Sequence, residues 1–313
     1  MEVELSLHSA TLRYFVKVAE HGSIRRAAET LNIASSAVNR KILNLERSLG
    51  VALFKRTPHG VTPTSAGMLL LRHARETLSD FQRTIDQMDS QTGEIKGTVR
   101  ITGIGSIIDC ALPEALMGLS KKHEGIVLQV LNANPDDVVD GLRIGRADIG
   151  ITFLDNRHRD FEVCARLNTT FGALMTSDHP LARRRSVTLT ECASYDTSMF
   201  ADRWTIRPLV DTEFHETGAE FRARVITNSM TVMRTAILQG VGIGFFTPIA
   251  FIEEIKRGQI SFVPLHRSEL VPTHIGLLTS KAALGAPAVR VLIDHLSDLF
   301  WDLQRSLDET RTE

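Results

Sequence analysis

At 313 residues the chain exceeds what one hydrophobic core usually serves, so two to three domains are expected. Apolar residues at 43% can fill such cores, charged residues at 23% are ordinary for a water-soluble protein, and a net charge of −1 excludes basicity spread over the whole chain. The opening residues lack the apolar stretch of a signal peptide, no run approaches the roughly 20 apolar residues of a membrane span, and Cys110, Cys164 and Cys192 lack metal or redox spacing. The expectation is a cytoplasmic protein with reduced thiols, no metal and no membrane partner.

Over residues 7–20 the pattern predicts an amphipathic helix with Leu12, Phe15, Val16 and Ala19 facing inward. Ser23 can cap a short second helix in which Ala27, Ala28 and Leu31 share a face. Asn32-Ile33 interrupts the period, and a third helix follows. Its apolar stripe is Val38, Ile42, Leu45 and Leu49, with Ser35, Ser36, Asn39 and Arg40 off the stripe. Two short helices with small residues where they meet form a helix-turn-helix. After Gly50 the texture becomes β-like, and residues 51–56 and 61–63 flank Thr57-Pro58-His59-Gly60, which has the composition of a hairpin turn. A helix-turn-helix with a two-stranded wing is a DNA-binding module. Up to Gly67 nine Lys and Arg stand against five acids, an excess placed on the third helix and the wing, where phosphate contact needs it.

Leu12, Phe15, Ala19, Gly22-Ser23, Ala27-Ala28, Leu31, Ala37-Val38, Arg40, Ile42, Leu45-Glu46, Leu49-Gly50, Leu53-Phe54, Arg56, Thr64 and Gly67 fall at spacings that resemble the LysR-type transcriptional regulators. The resemblance extends over the whole chain. It implies that Ser35, Ser36, Asn39 and Arg40 face the major groove, with Arg40 suited to guanine and Asn39 to adenine. Arg56 and Thr62 on the wing, with Arg25, Arg26 and Lys55, are then expected on phosphates, and Ser23 completes the DNA-binding set. The family usually carries Ser-Gln where this chain has Ala34-Ser35, and Ser where it has Asn39, so the operator does not carry over from relatives.

A long helical run over 65–91 follows Thr64. Leu71, Ala74, Leu78, Phe81, Ile85 and Met88 recur in it with spacing 3-4-3-4-3, while Arg72, Arg75, Glu76, Asp80, Arg83 and Asp86 point outward. Such a seam suits packing against a second helix, and the family's linker helix implies the same; the alternative is a single helix lying on its own domain. A dimer would let paired recognition helices reach spaced half-sites. Domain expectations are a winged helix-turn-helix over 1–64, a linker helix over 65–91, a hinge over 92–97 and an effector-binding domain over 98–306.

From Thr98 the pattern is α/β. Strand 99–101, helix 106–122, strand 126–131, helix 135–145 and strand 148–153 come first. Strand 163–175, a helix near 188–193, strand 196–200, helix 206–217, strand 223–226, helix 229–239 and strand 243–246 follow, and strands 260–264 and 273–279 with helix 287–306 close the chain. Alternation of this kind implies a mostly parallel sheet with crossover helices. The resemblance goes further and implies a periplasmic-binding-protein-like domain of two Rossmann-like subdomains, one over about 98–165 and 266–306, the other over about 166–265.

Ligands of such sheets bind beyond the carboxyl ends of the strands. Gly105-Ser106, Thr152-Phe153, Phe200-Ala201, Ser229-Met230 and Phe246-Thr247 lie at such ends and form the expected effector site, for a small organic anion with some apolar surface. Arg203, Arg207 and His274 are candidates for its rim, with an exposed, solvated role the favoured alternative. Gly103-x-Gly105 lacks the third glycine of a dinucleotide fingerprint, and no P-loop, HExxH or nucleophile elbow occurs, so neither enzyme activity nor a cofactor is expected. The expected function is DNA-binding transcriptional control gated by an effector, in a homodimer or homotetramer on double-stranded DNA, with RNA polymerase contact implied by the resemblance. The alternative is a DNA-binding oligomer that senses no small molecule.

Overall fold

The computed structural model describes residues 10–58, 60–90, 95–155, 158–201, 215–216, 221–266 and 274–312. The chain divides into an N-terminal head with its long helix and a larger α/β unit.

In the head, α1 (Ala10–His21), α2 (Ile24–Leu31) and α3 (Ser35–Leu49) are followed by a hairpin of β1 (Phe54–Thr57) and β2 (Gly60–Pro63), then by α4 (Ser65–Ser90). Phe15, Val18, Ala27, Val38, Ile42 and Leu53 are its buried centre. The tight α2–α3 turn depends on Asn32, which adopts a left-handed φ of 55° and closes α2 with its backbone N–H on Ala28 and Glu29 carbonyls. Leu49 departs from the expected apolar stripe and is 50% exposed. It is the last residue of α3, and the chain turns away at Gly50 with φ 68°, so nothing overlies it.

Within the chain, the first half of α4 packs on the head. Leu71 and Ala74 are buried in the head's own core, and Leu78 packs against it. They share that core with Phe15, Val16, Phe54 and Val61. Further along, Phe81 and Ile85 are half-buried and Met88 is 60% exposed.

The α/β unit contains two five-stranded sheets. In chain order its elements are β3 (Gly97–Gly103), α5 (Gly105–Ile108), α6 (Leu112–Lys122), β4 (Ile126–Asn132), α7 (Pro135–Arg143), β5 (Ile149–Phe153), β6 (Glu162–Asn168), β7 (Gly172–Thr176), α8 (Leu189–Cys192), β8 (Asp196–Phe200), β9 (Arg222–Thr227), α9 (Met230–Leu238), β10 (Ile243–Phe246), α10 (Ile252–Lys256), β11 (Ile260–Pro264), β12 (His274–Thr279) and α11 (Pro287–Thr312). One sheet has the order β4-β3-β5-β12-β6 and the other β11-β7-β10-β8-β9. In each, three neighbouring strands run parallel (β4-β3-β5 and β10-β8-β9) and the remaining two join antiparallel. The chain passes between sheets after β6 and again after β11. One core joins Ile101, Ile149 and Leu277 of the first sheet to Phe245 and Val263 of the second, with Leu292, Leu296 and Phe300 of α11 packed into it.

Three expected elements differ. The run 163–175 is two strands in different sheets, separated by Thr169-Thr170-Phe171; Gly172 opens the second, where a side chain would collide with the Phe262 ring. Helix 106–122 is two helices, because Pro113 lacks the N–H needed inside a helix and instead starts α6. Helix 287–306 continues to Thr312. Most of the expected helix 206–217, half of the hinge over 92–97, and Arg203 and Arg207 lie outside the described residues. Among the described residues no helix is long and apolar enough to cross a membrane.

Candidate functional site

Two surfaces collect the expected functional residues, one in each unit. On the head, Ser35, Ser36 and Arg40 are exposed along one face of α3, and Asn39 lies between them, half-buried. Arg25 and Arg26 are exposed at the start of α2, where Ser23 accepts a hydrogen bond from the Arg26 backbone N–H at 3.4 Å and acts as the helix cap. Lys55, Arg56 and Thr62 are exposed on the wing, Lys55 directly opposite Thr62.

Several residues fix the wing relative to α3. Glu46 uses one carboxylate oxygen, Oε1, to accept from the backbone N–H groups of Leu53 at 2.8 Å and Phe54 at 3.1 Å. At the other end of β1, Arg56 Nη2 donates to Asn39 Oδ1 at 3.0 Å. The Gly22 carbonyl accepts from Val61 N–H at 2.8 Å, and any side chain on Gly60 would overlap that carbonyl. Thr64 donates to the Ala52 carbonyl at 2.8 Å while accepting from Gly67 N–H at 3.0 Å, so the wing and the first turn of α4 share one anchor. Sequence reasoning counted Glu46, Thr64 and Gly67 as marks of resemblance and missed what they hold. Their signal was available only as spacing, because each partner lies in a different element.

In the α/β unit the expected effector residues divide by role. Ser106 is buried in the first turn of α5 after β3, Thr152 is buried near the end of β5, and Thr247 is buried just past β10. The Oγ1 atoms of Thr152 and Thr247 have no hydrogen-bond partner, and neither does that of Thr169 on the link between sheets, which sequence reasoning did not single out. A buried hydroxyl left unpaired costs about 1–3 kcal/mol, and such groups are rare. The end of β3 and the end of β10 are brought together because α5 packs on the 3-10 turn Pro248–Phe251.

The apolar members pack against one another, with Phe153 and Phe246 buried and Phe200 half-buried. Phe153 lies against Phe171 with ring centroids 5.4 Å apart, Phe200 meets Phe246 edge-on at 5.3 Å, and Phe246 continues to Phe251 at 6.3 Å. Met230 is buried in the same cluster as Phe246, and Ser229 accepts from Val232 N–H at 3.4 Å as the cap of α9. Ala201 is exposed and donates its N–H to the Thr227 carbonyl at 3.0 Å. Gly105 faces the Asn132 amide, which donates to Asp109 at 2.8 Å; a side chain on Gly105 would crowd both. His274, expected at the rim, is paired with Asn168 Oδ1 at 2.7 Å.

The link between α5 and α6 carries further charge chemistry. Cys110 packs against the cluster of Met230, Phe246 and Phe251, so here the first sheet's subdomain meets the second's. Burial pushes the Cys110 thiol up to about 11; the nearby Arg234 guanidinium opposes this, and the Asp109 and Glu254 carboxylates add to it. Burial likewise raises the Asp109 carboxyl above its ordinary range, partly offset by the bond from Asn132. Arg234 forms an ion pair with Glu254, which is 5% exposed. Among the described residues no group of three or more His, Cys, Asp or Glu is arranged to hold a metal ion.

Comparison with known proteins agrees with this geometry. Residues 10–68 match the family described as bacterial regulatory helix-turn-helix protein, lysR family, and residues 92–301 match the LysR substrate binding domain. A hydrogen peroxide-inducible genes activator of Pectobacterium carotovorum subsp. carotovorum is 26% identical over 259 residues, which cover 82% of this chain and 85% of that protein. The crystal structure of ArgP from Mycobacterium tuberculosis superposes with a TM-score of 0.66 at 21% identity, covering 94% of this chain and 98% of ArgP. Full-length CbnR in complex with its target DNA superposes with a TM-score of 0.55 at 20% identity, covering 93% of this chain and 99% of CbnR.

Proposed function

The chain belongs to the LysR family of DNA-binding transcriptional regulators, and from that premise we propose that its DNA binding is gated by a small organic anion held between the two sheets of its substrate-binding domain. The observation that carries the proposal is the pair of buried, unpartnered hydroxyls of Thr152 and Thr247 at strand ends of different sheets. With Ser106 beside them, they offer hydrogen-bond donors to carboxylate oxygens without placing a full charge in the core. A ligand that joins the two sheets would favour one placement of the subdomains, and its differential affinity sets how far the population shifts.

On DNA, the exposed α3 face enters the major groove, with Arg40 reading guanine through its bidentate fork. Lys55, Arg56 and Thr62 with Arg25 and Arg26 hold phosphates and fix the register. A homo-oligomer places two such faces on spaced half-sites. Met68, Leu69 and Met88 leave apolar surface on α4 for a partner, as do Val127 and Leu131 on edge strand β4 and Ile226 on edge strand β9.

One relative is named for hydrogen peroxide, which raises thiol oxidation as a second way of sensing. The thiols here do not favour it. The thiolate is the reactive form, and both Cys110 and Cys164 are shifted toward the protonated thiol, chiefly by burial. Cys192 is fully buried in the core.

A thermal-shift screen of small organic acids tests the proposal. A binder present at a hundred times its Kd stabilises the folded domain by about 2.7 kcal/mol, and Thr152→Val should remove that rise. A panel that leaves the melting temperature unchanged would favour the oligomer that senses nothing.

A further inference from the structure

Asn39 and Arg56 come from different elements, yet the geometry pairs them firmly. Glu46 lies seven residues beyond Asn39 on α3, two helical turns or about 10.5 Å along the axis. Arg56 lies three residues beyond Leu53 on β1, about 10 Å of extended chain. The two rises match, so β1 runs back along α3. Glu46 binds its beginning through Leu53 and Phe54, and Asn39 binds its end through Arg56.

We propose, building on the DNA-binding reading, that Arg56 is a positioning residue that fixes the amide of Asn39 and so sets the base that the recognition helix reads there. A guanidinium has donors and no acceptor, so the amide atom it bonds is the oxygen. With the oxygen so engaged, what the Asn39 amide has left to offer the groove is its nitrogen, with two N–H donors. Such a donor matches a base edge that presents an acceptor: N7 of a purine, O6 of guanine or O4 of thymine. It mismatches cytosine, whose major-groove edge offers the N4 amino donor. The adenine expected from a freely rotating Asn39 thereby becomes one of three permitted bases, and cytosine becomes the excluded one.

Selection of binding sites from a pool of randomised duplexes tests this with the full-length protein. The wild type should disfavour cytosine at one position by about three- to tenfold, the discrimination of one hydrogen bond. Arg56→Ala should relax that same position toward all four bases and leave the other positions intact. Asn39→Asp keeps the acceptor for Arg56 but offers the groove only oxygens, and should turn the preference there toward cytosine. If Arg56→Ala instead weakens every sequence evenly and only lowers the salt dependence, Arg56 is a phosphate contact alone and the proposal fails. It fails equally if Arg56 and Asn39 variants relax different positions. A wild type that enriches no sequence would overturn the DNA-binding reading itself.

Discussion

The head and the α/β unit differ in how the polar side chains at their candidate sites are satisfied. In the head, the carboxylate of Glu46, the hydroxyl of Thr64 and the amide of Asn39 each find partners in another element, and the side chains expected on DNA are exposed around them. In the α/β unit, Thr152, Thr169 and Thr247 bury hydroxyls that have no hydrogen-bond partner among the described residues. A surface that meets a polyanion gains from being held rigid, since ordering costs are then met before binding. A domain that must respond to a ligand gains from polar atoms whose best partner is that ligand.

The contrast can be broken most severely through the head's core. Ile42 faces inward from the recognition helix and is fully buried, so Ile42→Ala should cost about 2–5 kcal/mol. Calorimetry should then show the head melting early and DNA binding lost, with the ligand-induced shift of the α/β unit retained. A shift lost along with the head would mean that the regions are not energetically separable.

Cys110 offers the next largest effect. Its thiol titrates near 11 instead of 9.0, so at pH 8 its alkylation should run about 100-fold slower than in the unfolded chain. Because the folded pKa is raised, the unfolded thiol ionises first, and stability should fall as pH climbs from about 9 toward about 11. Mass spectrometry after timed alkylation reads the rate, and an ordinary rate would contradict the burial of the thiol against Met230, Phe246 and Phe251.

Arg40→Ala should reduce discrimination between the preferred base and its alternatives at one operator position by about tenfold or more, with oligomerisation unchanged. Competition binding with single-base operator variants measures it, and equal losses across all variants would assign Arg40 to phosphate. The smallest effect is the most discriminating between the regions. Thr247→Val replaces an unpartnered buried hydroxyl by a methyl of similar size, so it should be neutral or stabilise by up to about 1 kcal/mol in the absence of ligand. Applied to a satisfied hydroxyl of the head, Thr64→Val should destabilise instead, and urea unfolding compares the two signs.

How much was legible follows the same division. The head could be read because its signals are local: Ser23 caps three residues ahead, Val38 and Ile42 keep helical spacing, and Gly60 belongs to a tight turn. The α/β class was legible for the same reason. Run 163–175 misled because it was read straight across Asn168 and Gly172, strand-poor residues that flank the point, Thr169–Phe171, where the tertiary pairing shows the chain leaving one sheet for the other. The strand-end Phe153, Phe200 and Phe246 were legible as strand ends, but their ring partners, Phe171 and one another, come from other elements and left no mark in the local sequence. Arg234 and Glu254 lie 20 residues apart on separate helices, a pairing that no period reveals.

The central claim is that ligand binding in the α/β unit alters how the head engages DNA. Footprinting on the DNA upstream of the protein's own coding region, with and without each acid that raises the melting temperature, tests it most directly. The account predicts two protected, spaced half-sites whose boundary or strength changes with one such acid, and a Thr152→Val protein whose footprint does not change. A footprint indifferent to every acid that binds would contradict the coupling and leave a DNA-binding oligomer with an uncoupled ligand site.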